Sequence, residues 1–153
     1  MKRNWYKYLF IIITFFVIGF IWWNSSKNGE ESSGISQGVL YEIMQIFARI
    51  GISTDITEHI IRKLAHFTEF TALGILLSID TVLFLKNMKQ YVWIPLFIGL
   101  LVALIDETIQ LFPVGRSSSV KDVWLDFSGV IFGTILLLVS KQIYLFKLRK
   151  TLK

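Results

Sequence analysis

The sequence predicts an all-α integral membrane bundle, with four transmembrane helices and one amphipathic interfacial helix on the extracellular side. Three observations lead there. Apolar stretches recur at about 8–23, 64–85, 91–112 and 122–140. Only 18% of the residues are charged, against the ~25% usual for a soluble domain, and the mean hydropathy is +0.59. The basic residues sit beside the apolar stretches, where charge acts as a topology signal. The 153 residues make one domain, and the net charge of +5 does not call for a nucleic-acid partner. Cysteine is absent, which excludes disulfides and thiolate chemistry.

The first span runs from Tyr8 to Trp23, opened by Lys2, Arg3 and Lys7 and closed by Trp22 and Trp23. Its flanking aromatic residues extend it toward the interfaces of a ~30 Å hydrocarbon core. No small-residue cleavage pattern follows, so an uncleaved anchor is expected rather than a signal peptide. Residues 24–36 read as a polar loop within an outer segment, 24–61. Val39, Leu40, Ile43, Ile46, Phe47 and Ile50 then recur at helical spacing around Glu42, Gln45 and Arg49, up to Gly51. Such a helix is too short and polar to span, and belongs along the interface or over the bundle.

Asp55, three residues before Glu58, resembles a helix-start box for the second span. Lys86 to Lys89 make a tight basic turn. The third span follows, with Pro95 tolerated in its first turns. Residues 112–119 form a second turn, and a basic tail from Lys141 follows the fourth span. The N-terminus, the 86–90 turn and the tail carry ten of the sixteen Lys and Arg residues. That bias puts both ends of the chain in the cytoplasm.

With this topology the unusual polar residues fall at one depth, near the outer surface. Arg62, Lys63, His66 and Glu69 belong to span two, and Asp106, Glu107 and Gln110 to span three. Arg116, Ser117, Lys121, Asp122 and Asp126 belong to the last turn and span four. Arg62, His66 and Glu69 lie at i, i+4 and i+7, one helical stripe; Asp106 and Gln110, and Asp122 and Asp126, are each one turn apart. Ionisable groups at depth cost roughly 2.5–3.5 kcal/mol each unless paired or hydrated. Turning all three stripes inward minimises that cost and makes a polar pocket open to the outside. Arg62 or Arg116 is then expected to pair with Asp106, Glu107 or Asp126. Gly129 and Gly133 continue the Asp122–Asp126 stripe, so the acidic face of span four is also its close-packing face.

Three blocks carry a family resemblance: RKLAHFTEFTALG at 62–74, DETIQLFPVGRS at 106–117 and DVWLDFSGVIFG at 122–133. Together, in this order, they resemble the VanZ-like family of small bacterial membrane proteins. The family pattern usually has Tyr at the place of Phe70 and Asn at the place of Asp126, so this chain loses a hydroxyl and gains a charge. The resemblance implies a multi-span bundle in the bacterial cell membrane and a link to glycopeptide (teicoplanin) susceptibility. It implies no particular molecular activity.

Four readings of the polar zone follow. The leading one is a ligand-binding pocket for an anionic group at the outer leaflet. It is lined by Arg62, Lys63, His66, Glu69, Asp106, Glu107, Gln110, Arg116, Ser117, Asp122 and Asp126. Arginine grips phosphate or carboxylate in bidentate fashion, and the amides after Ser117, Ser118 and Ser119 open a helix. Membrane lipids, a cell-wall precursor or a glycopeptide-related ligand are the expected partners, and oligomer formation is left open. Next stands an acid/base enzyme using His66 with Glu69 or Glu107, the imidazole oriented by Asp106 or Glu107. A small transporter ranks below binding, because only Asp80 continues the polar path inward. The bland alternative is a set of ion pairs holding the helices in register. One His in the zone and no Cys argue against a zinc site, so no metal and no cofactor are expected.

Overall fold

The computed structural model describes residues 4–49 and 56–151, and what it describes is helix and short turns. In chain order these are α1 (Trp5–Ser25), α2 (Gly29–Arg49), α3 (Glu58–Leu85), the one-turn α4 (Met88–Tyr91), α5 (Trp93–Ile109) and α6 (Val120–Thr151). Three of them, α1, α3 and the Val120–Leu148 part of α6, are long and apolar enough to cross a membrane. Helix α5 has 17 residues, about 26 Å at ~1.5 Å per residue.

Two lines of residues explain why the helices assemble. Ile21, Phe70, Leu73, Leu77, Val102, Ala103, Val123 and Val130 form one buried apolar cluster fed by α1, α3, α5 and α6. Outward, Ile12, Phe15, Phe16, Phe97, Leu101, Leu104, Ile135 and many like them stay exposed. In water so broad an apolar exterior would be a liability; against lipid tails it is the expected finish. Phe70 is fully buried within the cluster, a place where a phenolic hydroxyl would need its own hydrogen-bond partner.

The seam between α3 and α6 is the most extensive contact. A Cβ on Gly133 would run into the Thr71 carbonyl, and one on Gly129 would sit 2.7 Å from the Phe67 carbonyl. The two backbones therefore touch along the glycine stripe, as a small-residue face permits. Hydroxyls inside the spans fold back on their own helices: Thr71 donates to the Phe67 carbonyl at 2.7 Å and Thr81 to that of Leu77 at 2.8 Å. Ser78 bridges to Thr134 across the seam at 3.1 Å.

Several boundaries differ from expectation. Residues 29–36 are the start of α2 rather than loop, because Asn28 caps it: its side-chain oxygen accepts from the Glu31 amide at 2.8 Å, and Glu30 and Glu31 occupy the first turn. Asp55, Ile50 and Gly51 lie outside the described residues. The helix-start role falls to Thr57, whose side chain accepts from the Ile60 amide. Lys86 closes α3 in the left-handed region, its amide donating to the Val82 carbonyl at 3.1 Å. The helix expected as span three, α5, is shorter than 91–112 at both ends, and Pro95 falls in its first turn, where its missing N–H is harmless. The basic tail is not a separate tail: α6 continues through Lys141 and Lys147 to Thr151. Basic residues end the apolar stretch without ending the helix.

Candidate functional site

Cross-helix contacts fix which ends meet. Asn24 at the end of α1 donates to Glu69 Oε1 on α3 at 2.8 Å, and Trp22 reaches the Val102 carbonyl on α5 at 3.4 Å. Lys63 on α3 pairs with Asp122 at the start of α6 at 3.3 Å. The end of α1, the start of α3, the end of α5 and the start of α6 therefore share one end of the bundle. The polar residues expected at one depth, Arg62 to Glu69, Asp106 to Gln110 and Arg116 to Asp126, lie there, while Asp80 does not.

The deepest group is made of three side chains from three helices. Nδ1 of His66 lies 3.8 Å from Asp106 Oδ2 and 3.8 Å from Asp126 Oδ1. Asp106 is 0% exposed and Asp126 1%. Gln110, one turn after Asp106, donates to Asp106 Oδ2 at 2.9 Å and to Glu107 Oε1 at 3.0 Å. Asp106 Oδ1 and both oxygens of Asp126 have no hydrogen-bond partner. Ser25 Oγ lies close to Asp106, though outside hydrogen-bond geometry. One ligand atom from each of His66, Asp106 and Asp126 lies within 4.8 Å of the others, so the geometry brings together the kind of donor set that composition argued against.

Above this group is a cavity of about 60 Å³, lined by His59, Arg62, Lys63, His66, Glu107, Gln110, Gly115, Arg116, Ser117, Asp122, Leu125 and Asp126. A second chamber of about 70 Å³ reaches Asn24, Lys27, Ser32, Ile35, Ser36, Ala65 and Glu69. Arg62, His66 and Arg116 border both. The volume suits a few waters or one phosphate-sized group, not a whole lipid.

The turn that carries Arg116 is held in place by α2. Gly115 has φ +76°, a conformation that side chains disfavour. Opposite it, a Cβ on Gly29 would collide with the Gly115 carbonyl, so the two glycines let the backbones meet. The Gly29 amide donates to the Val114 carbonyl at 2.9 Å, and Arg116 Nη1 donates to Ser32 Oγ at 2.7 Å. Burial, with Arg62 nearby, holds the Arg116 guanidinium below its usual pKa range, while Asp106 and Glu107 oppose the shift. An arginine remains charged through such a shift.

The expected pairing of Arg62 or Arg116 with Asp106, Glu107 or Asp126 does not form. Among the described residues the Lys or Arg ion pair with a carboxylate is Lys63–Asp122, and His66 lies 3.8 Å from Asp106 and from Asp126. Arg62 instead approaches His59 Nδ1 at 3.5 Å. Arg116 is drawn to Ser32, and the two glutamates have donors of their own, whereas Asp126 is left without one. Glu107 Oε2 accepts from the Ser119 amide at 3.0 Å, and Glu69 is held by Asn24. The start of α6 is likewise engaged: Ser119 Oγ donates to Asp122 Oδ2 at 2.7 Å and receives the Asp122 amide at 3.2 Å. An external anion would meet the arginines before those amides. Ser117 is exposed at the cavity. Among the described residues the carboxylates within 4 Å of the imidazole are those of Asp106 and Asp126, not Glu69 or Glu107.

Sequence reasoning missed Asn24, Lys27 and Ser32. Lys27 Nζ donates to Asn24 Oδ1 at 2.8 Å and lies 4.1 Å from the Trp23 ring centre. A single Asn directly after an apolar run was the available signal for the first two. Ser32 became legible only with the fold, since 84 residues separate it from Arg116. A search of the curated proteins and of the solved structures found no match. Residues 10–142, most of the chain, match the model of the VanZ/LLP1 family. With helices apolar enough to cross a membrane and the three motif blocks gathered at one end of the bundle, this chain is a membrane protein of the VanZ/LLP1 family.

Proposed function

We propose that this protein binds an anionic, phosphate-bearing group of the outer leaflet in the cavity between α3, α6 and the Gly115–Ser117 turn. In this reading α5 is a fourth span, both ends of the chain are cytoplasmic, and α2 lies over the outer interface. One observation carries the reading: Arg62 and Arg116 border both chambers, yet neither is ion-paired to a carboxylate among the described residues. Two partly desolvated guanidiniums without an acid make a ready-made site for phosphate or carboxylate. A lipid phosphate or a phosphorylated cell-wall precursor fits that chemistry. An effect on glycopeptide susceptibility would follow if the bound group is the precursor.

Native mass spectrometry of the full chain, released from nanodiscs of phosphatidylglycerol or phosphatidylcholine, tests the reading. Retention of phosphatidylglycerol that is lost in Arg116→Ala, with the fold intact, is the expected result. Equal retention of both lipids by both proteins would refute it. The contact of His66 with two buried carboxylates favours, second, an acid/base enzyme acting on the same ligand. Hydrolysis of an outer-leaflet phospholipid or phosphorylated precursor in proteoliposomes, abolished by His66→Ala, would select that reading over binding alone.

A further inference from the structure

We propose that His66, Asp106 and Asp126 hold a divalent transition-metal ion of the manganese or zinc class. The donors are one imidazole nitrogen and two carboxylates from three different helices, with one ligand atom from each within 4.8 Å of the other two. Metal–ligand bonds of about 2.0–2.2 Å place neighbouring ligand atoms roughly 3.0–3.4 Å apart. The two His66–Asp separations of 3.8 Å close to that range with side-chain shifts under ~1 Å.

Proximity of acids alone would not carry the assignment. The independent observation is that Asp126 is 1% exposed and neither of its oxygens has a hydrogen-bond partner, while Asp106 is 0% exposed with Oδ1 unpartnered. Buried carboxylate oxygens are nearly always satisfied. Here Asp126 Oδ1 lies 3.8 Å from the imidazole nitrogen of His66, and among the described residues Arg116 and Arg62 are beyond ion-pair reach of either aspartate. A bound cation supplies the missing partner. Gln110 holds the Asp106 carboxylate through Oδ2, as outer partners hold metal ligands. The mixed nitrogen and oxygen set suits manganese or zinc; magnesium prefers oxygen donors and copper(I) prefers sulfur.

Three protein ligands leave coordination positions open. His66 and Asp126 both line the cavity beneath Arg116, so those positions face the space where an anion would sit. The cation site itself does not depend on the anion reading, and metal alone tests it. The detergent-purified full chain is stripped with EDTA and titrated with MnCl₂ or ZnCl₂. Stoichiometry is read by elemental analysis, and nitrogen coupling to bound Mn²⁺ by pulsed EPR.

One ion per chain with an imidazole coupling is expected, weakened tenfold or more in Asp126→Asn and in His66→Gln. His59→Gln, altered at the cavity but outside the ligand set, should bind as wild type. If Asp126→Asn does not fold, His66→Gln decides, because His66 is partly exposed and tolerates change better. Substoichiometric binding by the wild type, or binding unchanged in His66→Gln, overturns the site. Either result leaves lipid retention as measured by native mass spectrometry untouched, so the two readings fail separately.

Discussion

The two ends of this bundle are built from the same helices and treat their polar groups in opposite ways. At the end away from the site, Asp80 accepts from Thr14 Oγ1 at 2.7 Å, and Thr81 folds back on its own helix. Tyr8 meets Phe84 edge-on, and Lys7 lies 5.7 Å from the same ring. That is close to what a stable membrane bundle requires: few charges, each side chain near a partner or the interface, although Asp80 Oδ1 has no hydrogen-bond partner. At the other end, arginines and carboxylates share a small volume without pairing. Register alone would favour pairing them, since an unpaired buried charge costs more than a paired one. The ligand and cation proposed for the charged end would resolve that contrast.

The strongest way to break the comparison is to damage the seam that both ends share. Gly133→Leu should cost about 3 kcal/mol or more, since added atoms would meet the Thr71 carbonyl rather than a movable side chain. Thermal unfolding in detergent should show that loss together with loss of ligand binding.

Arg116→Ala acts on one end only. It should weaken phosphatidylglycerol binding at least tenfold, about 1.4 kcal/mol, and shift the unfolding midpoint little. Thr14→Val is its counterpart at the opposite end. It leaves Asp80 Oδ2 without its donor, costing about 1 kcal/mol of stability, and should leave phosphatidylglycerol retention at the wild-type level. The smallest effect belongs to Lys63→Ala. Its pair with Asp122 is 40% and 28% exposed, and partly exposed pairs contribute under ~1 kcal/mol. A large stability loss there would mean the charged end is structural after all.

What was legible in the sequence follows the same divide. The helices could be read because lipid demands long apolar stretches, and the shared depth of the polar residues followed from counting Lys and Arg along the chain. The glycine stripe below Asp126 was legible because helical spacing alone puts it on the acidic face. Pairings were not legible. Whether Glu107 meets Arg116 or the Ser119 amide depends on how a turn closes, and no spacing encodes it. Helix α2 hid its first turn because Ser and Gly suggest a loop, although Asn28 before two Glu residues is a start signal. The proposed metal donors were set aside for a related reason: the two aspartates lie 40 and 60 positions from His66 along the chain, and composition weighs against zinc where geometry assembles His66 with two aspartates.

The chain has no cysteine of its own, so a single introduced one reports its own position. Ser117→Cys places a thiol at the mouth of the cavity, and Lys86→Cys places one at the other end of α3. Intact cells expressing either variant would be treated with a membrane-impermeant maleimide. The outward cavity predicts that Ser117→Cys labels at once, that added phosphatidylglycerol slows the labelling, and that Lys86→Cys labels only after permeabilisation. Labelling of Lys86→Cys in intact cells, with Ser117→Cys protected until lysis, would put the arginines on the cytoplasmic side and contradict the account.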